Sequence, residues 1–213
     1  MSSRRGRTLI EAILHGFLLA FGLILPLGAQ NVFVFTQGAL QPTIWRALPV
    51  VLTAALCDTI LILLAVLGVS LVVLSVAWLK TLLYAIGILF LLYMGYLTWR
   101  SRPSSENEQD AVRFSPKKQV MFAASVSLLN PHAILDTIGV IGTSSLSYAG
   151  AQKWGFTIAC IAVSCIWFFG LCLAGRLMGE LDRSGRLLRG LNIVSACIMW
   201  TVALYMAWGL FSL

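Results

Sequence analysis

The chain has 213 residues, of which 59% are hydrophobic and only 11% charged, with a formal net charge of +7. A soluble domain carries about 25% charged residues, so a soluble globular fold is excluded and an all-α integral membrane protein is expected. The basic balance does not imply a nucleic-acid partner: Arg and Lys collect at segment ends and loops, as topology signals do, and no basic run interleaved with aromatics tracks a strand.

Six apolar segments follow one another, at roughly 9–35, 47–75, 80–99, 119–143, 154–175 and 188–212. Each supplies the ~20 residues a helix needs to cross a bilayer, and none shows the alternation of a barrel strand. The first follows a short Arg-rich tail and is too long for the ~7–15-residue core of a signal peptide, so it reads as a retained span. The second is long enough to tilt, or to end early in a turn near Gly68. Trp45, Trp78, Trp99 and Trp154 stand at segment edges as interfacial anchors, whereas Trp167 and Trp200 lie inside segments and read as packing residues. Gly87, Gly95 and Gly170 favour close helix packing. Cys57, Cys160, Cys165, Cys172 and Cys197 all fall within apolar segments, without CxxC or zinc spacing, and read as small, reduced, buried residues.

Residues 100–118 are rich in Ser, Pro and mixed charge, as a mobile linker would be. They divide one membrane domain, 1–213, into repeat 1 (about 9–99) and repeat 2 (about 119–213), a bundle of six hydrophobic helices in a 3+3 arrangement. Halves with an odd number of spans insert in opposite orientations, so the repeat is inverted if all six cross. Charge opposes this. With six spans, Arg46, the linker and the loop of Arg176–Arg189 share one face with ten cations, against five on the other; with the third segment not crossing, the split is thirteen to two. The positive-inside rule thus favours five spans and the repeat favours six.

The repeat is most visible in one local pattern. Residues 23–31 read Leu-Ile-Leu-Pro-Leu-Gly-Ala-Gln-Asn and residues 128–136 read Leu-Leu-Asn-Pro-His-Ala-Ile-Leu-Asp. Pro26 falls on Pro131 and Asn31 on Asp136. A proline inside an apolar helix removes a backbone hydrogen bond, so Pro26 with Gly28, and Pro131 with Asn130, should break two helices and offer freed N–H and C=O groups to a ligand. Gln30, Asn31 and Asn130 add neutral donors and acceptors. His132 is a candidate proton relay and equally a neutral donor within the kink. Glu11 and His15, four residues apart near the start of the first segment, suit an interfacial ion pair.

Asp58 and Asp136 are the carboxylates away from the ends of the apolar segments. A charged Asp at a helix centre costs at least ~2.5–3.5 kcal/mol, so such residues line cavities or find partners. No Lys or Arg lies mid-segment to neutralise them; the missing cation is either the substrate or a proton on each carboxyl. No GxSxG, HExxH or Walker loop appears, so no enzyme, no cofactor and no metal centre is expected. Sparse carboxylates also disfavour a cation channel or metal-ion transporter.

Leu-Pro-Leu-Gly-Ala-Gln-Asn-Val-Phe-Val at 25–34, Cys-Asp-Thr-Ile at 57–60 and Leu-Asn-Pro-His-Ala-Ile-Leu-Asp-Thr at 129–137 together resemble the LysE/ArgO family of bacterial basic amino-acid exporters; Trp167-Phe168-Phe169-Gly170 and Met199-Trp200 are similar too. The resemblance covers nearly the whole chain after about residue 10. It implies a secondary-active exporter of L-arginine or L-lysine across the inner membrane, driven by membrane potential or a proton gradient, with the family's acidic pair falling on Asp58 and Asp136. Related RhtB-type exporters move homoserine and threonine; the Ala29-Gln30-Asn31 form looks more like the basic-substrate branch. Expected partners are the amino acid, protons or potential, and the lipid bilayer, with a homodimer admitted as an assembly.

Overall fold

The computed structural model describes residues 8–25, 28–68, 114–128, 134 and 137–181, and individual residues between 81 and 100 and between 189 and 208. Among these, helix is the only regular secondary structure. In chain order they form α1 (Leu9–Ile24), α2 (Ala29–Leu40), α3 (Ile44–Val66), α4 (Pro116–Leu128), a π-helix (Thr137–Gly142) with a short helical turn (Thr143–Ser145), and α5 (Gly150–Leu181).

Helix α1 starts where Thr8 and Glu11 form a reciprocal capping box, Thr8 Oγ1 accepting from the Glu11 amide at 3.2 Å and Glu11 from the Thr8 amide at 3.1 Å. It stops at Ile24, and α2 leaves at 80° to it. The first predicted segment is therefore two helices. Helix α3, 23 residues long, is apolar enough to cross a bilayer, as is the 32-residue α5. At ~1.5 Å per residue α3 covers about 35 Å. It ends in a turn at Leu67 and Gly68, where Gly68 takes a φ of +80° that only glycine adopts without strain. The second predicted segment thus ends early, at the position the glycine marked. Helix α5 outruns its predicted 154–175 span at both ends.

The bundle is inverted relative to a soluble protein. On α1 the buried residues are Ala12, Gly16 and Ala20, while Ile10, Leu14 and Leu18 are exposed. On α3 the exposed stripe is Leu52, Leu56, Ile60 and Leu64, one face of a helix. With lipid as solvent there is no gain in hiding such side chains, and small residues bring helices together instead. At Gly38 on α2 an added Cβ would collide with the Cys172 carbonyl; at Gly175 and Gly179 on α5 it would collide with the carbonyls of Phe35 and Ala39. Gly16 meets Phe156 in the same way. Of the glycines predicted to pack, Gly95 lies against Trp200, Gly170 faces open space, and Gly87 lies outside the described residues. Cys57, Cys160 and Cys172 are buried, but Cys165 and Cys197 are exposed, which corrects the expectation that all five are interior.

Two apolar layers fill the bundle. One joins Ala12 and Ala20 to Ile62, Val66, Ile141, Tyr148, Phe156, Cys160 and Val163. The other joins Phe33 and Val34 to Ala47, Val50, Ala54, Ala123, Phe168 and Cys172. Their members place the start of α1, the end of α3 and the start of α5 at one end of the bundle. The end of α2, the start of α3, the start of α4 and the end of α5 lie at the other. Hydrogen bonds tie the second end: Gln119 Nε2 donates to the carbonyls of Arg46 and Phe114 (both 2.9 Å), Gln41 Nε2 to that of Phe114 (3.0 Å), and Arg176 to that of Pro42 (3.3 Å). Gly68 and Phe114 therefore sit at opposite ends of a helix about 35 Å long. Trp200 donates to the Leu92 carbonyl at 3.3 Å and its ring lies 5.5 Å from that of Trp99, so the third and sixth predicted segments touch.

Candidate functional site

The break between α1 and α2 opens at mid-bundle, between the two apolar layers. Gly28 caps α2 in an extended conformation (φ −82°, ψ 175°) and lends no side chain to the first amides of the helix. A helix start without a side-chain cap leaves its leading N–H groups without intrahelical partners and carries partial positive charge. Gln30 and Asn31, in that first turn, are both buried.

Three helices bring polar groups together here. Asp58, in the middle of α3, accepts a hydrogen bond from Gln30 Nε2 at 3.2 Å. The buried Ser164 hydroxyl of α5 lies beside the carboxylate. Asn31 Nδ2 donates to the Ile24 carbonyl at 2.9 Å, one of the acceptors left at the end of α1. Trp167 Nε1, one turn beyond Ser164, donates to Asn31 Oδ1 at 3.3 Å. Among the described residues the groups that face Asp58 are neutral. A carboxylate surrounded by neutral donors can be held in place, but its charge remains uncompensated.

Gln30, Asn31 and Asp58, singled out in the sequence, thus meet at one point, with Gly28 at the edge of the break. Pro26, Asn130, Pro131, His132 and Asp136 lie outside the described residues. The residues flanking the second motif are described and both approach α3: Ser127, in the last turn of α4, lies beside Cys57, the neighbour of Asp58, and Gly142, closing the π-helix, lies against the Ala65 carbonyl. Sequence reasoning missed Ser164 and Trp167. Trp167 was assigned to packing, yet its indole N–H in an apolar interior had to find an acceptor, and that requirement was the available signal. Glu11 and His15 do not pair as expected. Glu11 is used by the α1 cap, and His15 Nδ1 lies 2.8 Å from the Tyr148 hydroxyl.

A bent apolar helix carrying amides to an intramembrane carboxylate is the local chemistry of a carrier for a small polar solute. The family model for LysE type translocators matches residues 21–209. The chain belongs to that family. YisU of Bacillus subtilis (strain 168), provisionally described as an amino-acid transporter, is 61% identical over 203 residues, 95% of this chain and 91% of that protein. The arginine exporter protein ArgO of Escherichia coli (strain K12) is 32% identical over 196 residues, 91% of this chain and 92% of that protein. ArgO of Salmonella typhimurium LT2 is 32% identical over 202 residues, covering 93% and 94%. No solved structure matches. This member of the LysE type translocators is a membrane protein of a transporter family.

Proposed function

We propose that this translocator exports basic amino acids, L-arginine foremost and L-lysine next, from the cytoplasm across the bacterial inner membrane. The observation that carries this is Asp58: a carboxylate at mid-span whose described partners are neutral. A guanidinium meets a carboxylate through two parallel N–H···O bonds, which an ammonium cannot match. The Gln30 amide engages one oxygen of Asp58 and leaves acceptor capacity for a cation. Asp136 supplies the second carboxylate; its support is that the described flanks of its motif both rest on α3, near Cys57 and near Ala65. The uncapped start of α2 takes the substrate carboxylate, freed carbonyls of the two breaks take the α-amino group, and Asn130 adds a neutral contact. His132 is the candidate for passing protons, or serves as a neutral donor within the second motif.

Transport proceeds by alternating access, driven by membrane potential or the proton gradient, within one domain of two inverted three-span halves. Two observations support the inverted form. The first motif coincides with an 80° break. Gly68 and Phe114 lie at opposite ends of the bundle, as a crossing third segment requires. Arg46, Lys117, Lys118 and Arg176 then share one face, the cytoplasmic one by the positive-inside rule.

Efflux from vesicles loaded with arginine, lysine or threonine tests the substrate class. Arginine should leave fastest, lysine more slowly, and threonine no faster than from vesicles lacking the protein. Selective threonine efflux would move the chain to the neutral-substrate branch.

A further inference from the structure

Asn31 has both ends of its amide committed within the protein. Nδ2 bonds the Ile24 carbonyl across the break, and Oδ1 receives the Trp167 indole N–H. The residue is 5% exposed. The same indole lies edge-on to Phe21 of α1, with ring centroids 5.8 Å apart and planes at 90°. Helices α1, α2 and α5 therefore meet at one side chain, and at the break it is Asn31 that ties α5 to α2. The next residue back, Gln30, is the one that reaches Asp58. Successive residues on a helix are fixed relative to each other, so whatever sets the tilt and rotation of α2 at Asn31 also sets whether the Gln30 amide lies within reach of Asp58.

We propose that Trp167 is a positioning residue for the cation site: through Asn31 it fixes α2 at the break and so holds Gln30 against Asp58. Without the indole N–H, α2 loses its tie to α5 at Asn31, and Asp58 loses the donor that orients its carboxylate before substrate arrives. Affinity then falls through lost preorganisation, while the rate of the loaded carrier is kept. The inference rests on the reading of Asp58 as the cation site.

Trp167→Phe keeps the ring and removes the donor. In vesicles, with efflux normalised to folded transporter, it should raise KM for the exported amino acid about tenfold, as expected for a lost buried hydrogen bond and its consequences, with Vmax within about twofold. Gln30→Ala should do the same. Because both act through one contact, the double variant should also show about tenfold, where two independent losses would give about a hundredfold. Asn31→Ala cuts the clasp without disturbing α5, and should match Trp167→Phe and add nothing to it; it decides the matter if Trp167→Phe does not reach the membrane folded. A wild-type KM in Trp167→Phe, or a hundredfold rise in the double variant, overturns the clasp. The cycle is run on whichever of arginine, lysine or threonine the wild type exports, so a wrong substrate assignment does not count against it. An Asp58→Asn variant with wild-type KM would overturn the site reading itself.

Discussion

Asp58→Asn should reduce arginine efflux about a hundredfold or more while leaving the amount of folded protein in the membrane unchanged or higher. The two effects have opposite signs for a physical reason. The substitution removes the charge that attracts a guanidinium, and a charge-assisted bond made in a site shielded from water is stronger than its neutral counterpart. It also removes the insertion cost of a carboxylate at mid-helix, ~2.5–3.5 kcal/mol, and the new amide can still pair with Gln30 and Ser164, which are already in place. A residue retained for stability behaves otherwise: its loss lowers abundance and activity together. Initial efflux rates and quantified membrane protein, measured on the same vesicles, separate the two. Wild-type efflux in an Asp58→Asn, Asp136→Asn double variant would contradict the mechanism.

Gly175→Val should be the most damaging substitution to the fold. Helices α2 and α5 touch backbone to backbone at Gly38, Gly175 and Gly179, and a Cβ at 175 would collide with the Phe35 carbonyl and press on the Ala39 amide. Backbone cannot rotate aside as a flexible side chain can, so the helices must separate along their length. A cost of about 3 kcal/mol or more is expected, at the upper end of the overpacking range, a large share of the 5–15 kcal/mol that typically holds a domain folded. Gly170→Val, on the same helix with nothing within 4 Å of its added Cβ, should stay within about 0.5 kcal/mol, as surface substitutions do. Thermal unfolding in detergent reads the contrast. Equal melting of the two variants would show that the α2–α5 contact does not hold the bundle.

These two sites differ in how readable they were. Asp58 stood out because a carboxylate in an apolar segment is costly wherever it sits, and the interruption after Ile24 was signalled by the Pro-Leu-Gly run. The turn at Gly68 was marked in the same way. Such features depend on local covalent chemistry. Of the glycines expected to pack, Gly95 does and Gly170 does not, while Gly175 and Gly179 make the contact on α5, since nothing in a run of apolar residues tells which face meets a neighbour. That face is set by how α5 rotates against α2, a tertiary choice. The partner of Asn31 was hidden for the same reason, because 136 residues separate it from Trp167. Glu11 and His15 have the right spacing for an ion pair, but the Thr8 amide at the N-cap of α1 competed for the Glu11 carboxylate and won. His15 instead found Tyr148, far along the chain.

The central claim is that this LysE type translocator is a carrier with a cation site at Asp58. Counterflow in proteoliposomes tests it most directly. Unlabelled arginine inside should drive saturable uptake of labelled arginine from outside, lysine should compete, threonine should not, and Asp58→Asn should abolish the exchange. Uptake that rises without saturation, or exchange that threonine drives and arginine does not, would contradict it.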